Sequence, residues 1–189
     1  MKHNIRLEGY EFSLRPVEIE DAEFIAEVRT PDRSRFMNQI ERTAEAQRRW
    51  LEDYFRRPDD YYFVVERRKD LRREGLLGLL DFDHINHSAQ WGRFIMQPGS
   101  LAASEAALLT TRLAFGMFDL NEIWGTVLKD NRPMASYLES LGFQNRETVL
   151  LSVNGEMLEQ DKYVLTRDRW KDFESKITKL ALFVVDKLR

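Results

Sequence analysis

The chain has 189 residues, of which 43% are hydrophobic and 32% charged, and it carries a formal net charge of -3. That length fits one domain, the mixture buries a core and excludes global disorder, and the charge disfavours nucleic acid as the main partner. With no cysteine, disulfides, thiolate nucleophiles and thiolate metal sites are excluded, and three histidines, of which only His84 and His87 are neighbours, argue against a metal centre.

The opening MKHNIRLEGYEF lacks the apolar run of roughly 7 to 15 residues that marks a signal peptide. No stretch approaches the roughly 18 apolar residues that cross a bilayer. The expectation is a cytoplasmic protein without a membrane span. Residues 10–17, YEFSLRPV, read as a first strand that Pro16 places at an edge or ends. Asp21 is positioned to cap a helix to Arg29, with Phe24, Ile25 and Val28 at helical spacing. Thr43 begins a second helix whose stripe of Trp50, Leu51, Tyr54 and Phe55 ends before Pro58.

YYFVVER is rich in aromatic and β-branched residues and reads as the second strand, followed by an exposed basic turn, RRKDLRREG. GLLGLLDFD and AQWGRFIM supply the third and fourth strands around the HINHS turn, so residues 61–96 form an antiparallel meander. After the turn residues Pro98, Gly99 and Ser100, a mostly apolar helix runs to Phe118 and reads as buried over much of its surface. EIWGTVL is the fifth strand. MASYLESL is a helix closed by Gly142, with Met134, Leu138 and Leu141 inward. Strands at 146–153 and 161–166 flank an Asn154–Gly155 turn. A last helix from Asp168 aligns Phe173, Ile177, Leu180, Val184 and Leu188 on one stripe, suited to docking on its own domain or on a second subunit of a homodimer. With no repeat or linker, this is a single mixed α/β (α+β) domain over 1–167 followed by an amphipathic helix over 168–189.

One segment suggests chemistry. The N–H groups at a helix start attract phosphate, and small residues at Gly99, Ser100, Ala102 and Ala103 let a pyrophosphate approach them. An ordinary helix start after Pro-Gly-Ser looks the same, so its surroundings have to decide.

Three pieces in order carry a family resemblance: FSLRPVEIEDAEFI, FDHINHSAQWGRFI and NRPMASYLESLGF. Phe12 to Arg167 resembles the Gcn5-related N-acetyltransferase (GNAT) superfamily, in the branch of ribosomal-protein N-acetyltransferases and nucleotide-amino-sugar N-acetyltransferases. The resemblance implies the acyl-CoA N-acyltransferase fold, a mostly antiparallel central sheet with flanking helices, in which the fourth strand splays from the fifth. It implies acetyl-CoA as cofactor, its pantetheine arm against the backbone of Phe94, Ile95 and Met96 and its pyrophosphate on the loop of Gln97, Gly99, Ser100, Leu101, Ala102 and Ala103. Asn131 would lie near the arm. Acetyl would pass directly to the amine, as a chain without cysteine allows.

Departures from the family pattern are visible. Ser100 occupies a slot where relatives carry glycine, and Gln90 one where they often carry glutamate. Leu138 stands where many place an acid tyrosine, while Tyr137 is one position earlier, rotated by about 100° around the helix. Tyr137 is the candidate acid. Candidates for the base are Asp83 and His84, with Asp81 and His87 on the same strand and turn. Arg33, Trp50, Asp81, His87 and Trp91 are candidate substrate-binding residues, with Arg93 and the paired helices as the wall. The leading acceptor is the amine of a nucleotide-linked amino sugar. The alternatives are a protein N-terminus or polyamine, and a non-catalytic acyl-CoA-binding relative.

Overall fold

The computed structural model describes residues 2–29, 36 and 40–188. Eight strands are joined in one sheet: β1 (Leu7–Glu8), β2 (Phe12–Pro16), β3 (Tyr61–Arg67), β4 (Arg73–Asp83), β5 (Ser88–Met96), β6 (Glu122–Leu128), β7 (Gln144–Val153) and β8 (Glu156–Thr166). Their spatial order is β1-β2-β3-β4-β5-β6-β8-β7. Every pair is antiparallel except β5 with β6, which is parallel. The helices are α1 (Ala22–Val28), α2 (Ala44–Tyr54), α3 (Ala103–Arg112), α4 (Arg132–Ser140) and α5 (Arg167–Leu188). The fold is therefore the mixed α/β class with a mostly antiparallel sheet.

β3 shows why the sheet is covered on both sides. Tyr62, Phe63, Val64 and Val65 are all buried, and successive strand residues face opposite ways. Phe63 and Val65 join a core with Leu77, Leu79, Leu108 and Leu113, beneath α3 and α5. Tyr62 and Val64 join a second core with Ile25, Val28 and Leu51, beneath α1 and α2. α3 is buried from Glu105 through Thr111 because it lies between the sheet and α5.

Three local expectations are revised. Asp21 precedes α1 but makes no side-chain cap to it, forming instead a capping box with Glu18 around the short turn Ile19–Asp21. Its carboxylate turns back to accept the Arg15 guanidinium at 2.6 and 2.8 Å and the Glu18 N–H at 2.8 Å. An arginine in reach outcompetes the helix start because a charged, forked donor makes the stronger bond. On α5 the buried stripe is Trp170, Ile177, Ala181 and Val185, while Leu180 is 47% exposed. Ile177 is thus buried as expected, and Phe173, Val184 and Leu188 pack partly buried against the same core, so Leu180 alone departs from the expected stripe. The last hairpin is also longer than expected, with Asn154 and Gly155 both at positive φ in its two-residue turn.

Candidate active site

The sheet opens between β5 and β6. They pair only at Ser88–Glu122, Ala89–Ile123 and Gln90–Trp124. Beyond that rung β5 continues to Met96 on β4 alone, and β6 continues to Leu128 on β8 alone. Two bulges accompany the parting: the β4–β5 register gains a residue near Asp81 and another near Arg93, both at positive φ. A bulge bends its strand and breaks the alternation of faces. Strand β5 thus swings from β6 and leaves a wedge with its vertex at Trp91. Gly125 belongs to that vertex, since a Cβ there would stand 3.0 Å from the Trp91 carbonyl oxygen.

On the α3–α4 side, the Trp91 ring packs on Phe94 and Phe143 at 4.9 and 5.7 Å. Phe94 in turn stacks on Tyr137 at 5.4 Å. The Tyr137 hydroxyl donates to the Ala103 carbonyl at 2.9 Å, and burial raises its pKa, so it holds its proton. The loop after β5 reaches α3 here. Gly99 adopts φ +74 with open space where a side chain would be. The loop uses part of its own N–H supply: Ser100 donates to the Gln97 carbonyl at 3.0 Å, and Ala102 donates to the Ser100 hydroxyl at 3.2 Å. Serine in the glycine slot therefore consumes one amide. The N–H groups of Gly99, Leu101 and Ala103 have no acceptor among the described residues. Asn131 caps α4, its side chain accepting from the Met134 N–H at 3.4 Å.

The opposite side holds a cavity of about 910 Å³ between the sheet and α1–α2. Leu80, Asp81, Gly92 and Arg93, from the bulged stretches of β4 and β5, all reach this wall. Asp81 has no hydrogen-bond or ion-pair partner among the described residues. Gln90, Trp50, Trp124, Arg29 and Arg49 are among its other polar and aromatic lining residues. Arg93 is anchored: its guanidinium pairs with both Asp60 oxygens and lies 5.0 Å from the Tyr62 ring centre.

Of the residues singled out from sequence, the fold gathers Trp50 and Asp81 at this cavity and Tyr137 beside the wedge. Trp91 contributes to the cavity wall, but its ring faces α4 rather than the space under α2. Asp83, His84 and His87 are not at the cavity. They rim a separate hollow of about 200 Å³ with Asp59 and Phe82. His84, 71% exposed in its side chain, meets Asp59 at 2.9 Å. Asp83 accepts from the Asn86 backbone and side chain and from the Ile85 N–H, bonds that fix the turn and lower its pKa. Arg33 lies outside the described residues. Sequence reading missed Asp60, Arg29 and Gln47, which carry no local signal because they meet the site only through tertiary packing.

The family model of the acetyltransferase (GNAT) domain matches residues 11–144, more than half of the chain. The chain belongs to the GNAT acetyltransferase family. Among solved structures, apo FdhC, described as a nucleotide-linked sugar GNAT, is 25% identical, with a TM-score of 0.77 over 94% of this chain and 99% of that one. A GCN5-related N-acetyltransferase from Brucella melitensis superposes with a TM-score of 0.83 at 18% identity, over 94% of this chain and 85% of that one. A mutant of the spermidine N-acetyltransferase SpeG from Vibrio cholerae gives 0.72 at 18% identity, over 85% of this chain and 96% of that one. These last two share the fold. No curated protein matches the sequence. GNAT enzymes generally take acetyl-CoA as acyl donor, and no helix among the described residues of this GNAT is long and apolar enough to cross a membrane.

Proposed function

We propose that the protein transfers acetyl from acetyl-CoA to the primary amine of a nucleotide-linked amino sugar. The observation that carries this reading is the wedge at Trp91, whose one side meets a loop with open amides and whose other side meets the large cavity. The residues present fit the cofactor. The unpaired edge of Phe94, Ile95 and Met96 offers backbone groups to a pantetheine arm, and the Gly99, Leu101 and Ala103 amides, beside a Gly99 that leaves space open, suit a pyrophosphate. Bound there, acetyl-CoA supplies an activated thioester carbonyl. Asn131 stands at the start of α4, on the arm's side. The catalytic unit is 1–167, and α5 shields the outer side of α3.

Asp81 is the carboxylate suited to take the proton from the acceptor ammonium, because it lines the cavity and no other group among the described residues engages it. Tyr137 holds a proton at its phenol oxygen, and to act as acid it must release the Ala103 carbonyl. The acceptor class follows from the lining. Arg29, Arg49 and Glu41 line the cavity together with the uncharged polar groups of Gln47, Gln90, Thr126, Ser152 and Gln160, a surface suited to the hydroxyls of a sugar. Trp50 and Trp124 present aromatic surface for a sugar or base. The 25% identity to a nucleotide-linked sugar GNAT along nearly both chains supports the same class.

The test is thiol release from acetyl-CoA with nucleotide-linked amino sugars, spermidine and a peptide amine as acceptors, alongside calorimetric titration with acetyl-CoA. Turnover led by the nucleotide sugars is expected. Turnover with spermidine alone overturns the acceptor class, and acetyl-CoA binding without turnover on any amine makes the protein an acyl-CoA-binding relative.

A further inference from the structure

Gln47 and Gln160 are both buried glutamines of the cavity lining, and the protein uses only the first. Gln47 donates its amide to the Glu41 carbonyl at 2.6 Å. Gln160, 7% exposed, makes no side-chain hydrogen bond among the described residues. Buried polar side chains are almost always paired, and an unpaired one lowers stability. Neither polar atom of the Gln160 carboxamide is sealed off, however, and the space it meets is the cavity.

The ladders fix which way the side chain points. Residues opposite one another in an antiparallel pair share a face of the sheet, and alternate residues of a strand return to it. Thr126 lines the cavity from β6, and Leu151 and Val153 line it from β7. Gln160 is opposite Leu128, two residues beyond Thr126, and opposite Val149, two residues before Leu151. Both neighbours therefore place it on the cavity face. Leu128 is also four residues beyond Trp124, in the last rung that β6 shares with β5, which sets Gln160 about 14 Å along the strand from the vertex of the wedge. One cavity of about 910 Å³ includes both places.

An acceptor whose amine meets the thioester at the vertex reaches Gln160 only with a part well beyond its amino-sugar ring. In a nucleotide-linked sugar that part is the nucleoside. A carboxamide offers two N–H donors and a carbonyl acceptor without charge, which suits ribose hydroxyls or the polar edge of a base and does not neutralise the far ammonium of a polyamine. We infer that Gln160 is a specificity-determining residue whose carboxamide hydrogen-bonds the nucleoside of the acceptor, remote from the reacting amine. The inference rests on the nucleotide-linked amino-sugar reading above. A contact that is the same before and during acetyl transfer contributes to acceptor binding and not to the chemical step.

The experiment compares wild type with Gln160→Met, which keeps the length of the side chain and removes its donors and acceptor. In the thiol-release assay with the nucleotide-linked amino sugar that wild type turns over best, the variant should raise KM about tenfold, the equivalent of one to two ordinary hydrogen bonds, with kcat within about twofold. With the same amino sugar carried only as its phosphate, which lacks the nucleoside, kcat/KM should agree between the two proteins within about twofold. A misshapen site would lower both acceptors alike. Calorimetric titration with the diphosphates of uridine, thymidine, cytidine, adenosine and guanosine reads the same contact without turnover. Wild type should bind at least one of them, and Gln160→Met should bind it about tenfold more weakly. Loss confined to one base assigns the contact to the base, and equal loss for all assigns it to the ribose. If Gln160→Met does not fold, Gln160→Glu, equal in shape and without the donors, serves for the same measurements. Unchanged KM and nucleotide affinity, or an equal loss with the acceptor that lacks the nucleoside, overturns the inference. Wild type that neither acetylates an amino sugar nor binds a nucleotide overturns the underlying reading, and this contact with it.

Discussion

Replacing Asp60 with alanine is the sharpest test of how the cavity wall is held. The Arg93 guanidinium sits against both Asp60 oxygens, one contact at 2.8 Å, and the two side chains are 15% and 9% exposed. Breaking a buried pair from one side leaves a stranded charge and costs about 3–5 kcal/mol. The rings of Tyr62, Trp50 and Tyr54, at 5.0, 5.5 and 5.8 Å from the guanidinium, remain in place, and cavity water gains access to it. Both features favour the lower end, about 3 kcal/mol, which for a chain of this size lowers the thermal midpoint by roughly 6–12 °C. Urea and thermal denaturation read the change. Arg93→Met added to Asp60→Ala should restore most of the loss, because the uncompensated charge goes with the arginine. A loss under about 1 kcal/mol for Asp60→Ala, or no recovery in the double variant, refutes the account of this pair as the brace of the wall.

Two further outcomes follow from the same geometry. Asp81→Asn should lower kcat by about 100-fold or more in the thiol-release assay, while Asp83→Asn and His84→Ala stay within about twofold of wild type; the reverse pattern would move the base to the turn. His3 is buried beside Phe63, bonded to the Tyr62 carbonyl through one nitrogen and to nothing among the described residues through the other. Burial holds its pKa below the ordinary 6.5, so the unfolded chain takes up the proton first. Its contribution to stability is present above pH 6.5 and is lost as pH falls from there toward the depressed folded value. Urea unfolding at about pH 7.5 and about pH 5.5 should show wild type losing more stability than His3→Phe, and equal losses would count against the assignment.

Much of the architecture was legible because it is written in local patterns. The double-sided apolar run at YYFVVER, the glycine closing MASYLESL and the Asn-Gly turn each act over a few residues, and each forms the element expected of it. The turn after β5 that leads into α3 was legible in outline. The role of its serine was not, because only the folded loop brings the Ser100 hydroxyl under the Ala102 amide. Choosing among Asp81, Asp83, His84 and His87 was beyond sequence spacing for a related reason. These residues span one strand end and its turn, and a one-residue bulge at Asp81 separates a carboxylate facing the cavity from those engaged in the turn.

By itself the sequence determined a mixed α/β fold of acetyltransferase type and most of its element order, since periodicity, capping and short motifs are local properties. The tertiary structure alone decided that Trp91 turns its ring to the α4 side, that Asp60 reaches across from the start of β3 to neutralise Arg93, and that Asp81 lines the cavity while Asp83 is held in the turn. Those facts depend on bulges and on partners distant in the chain, Asp60 and Arg93 being 33 residues apart, and no local pattern encodes which distant side chain a bulge will face.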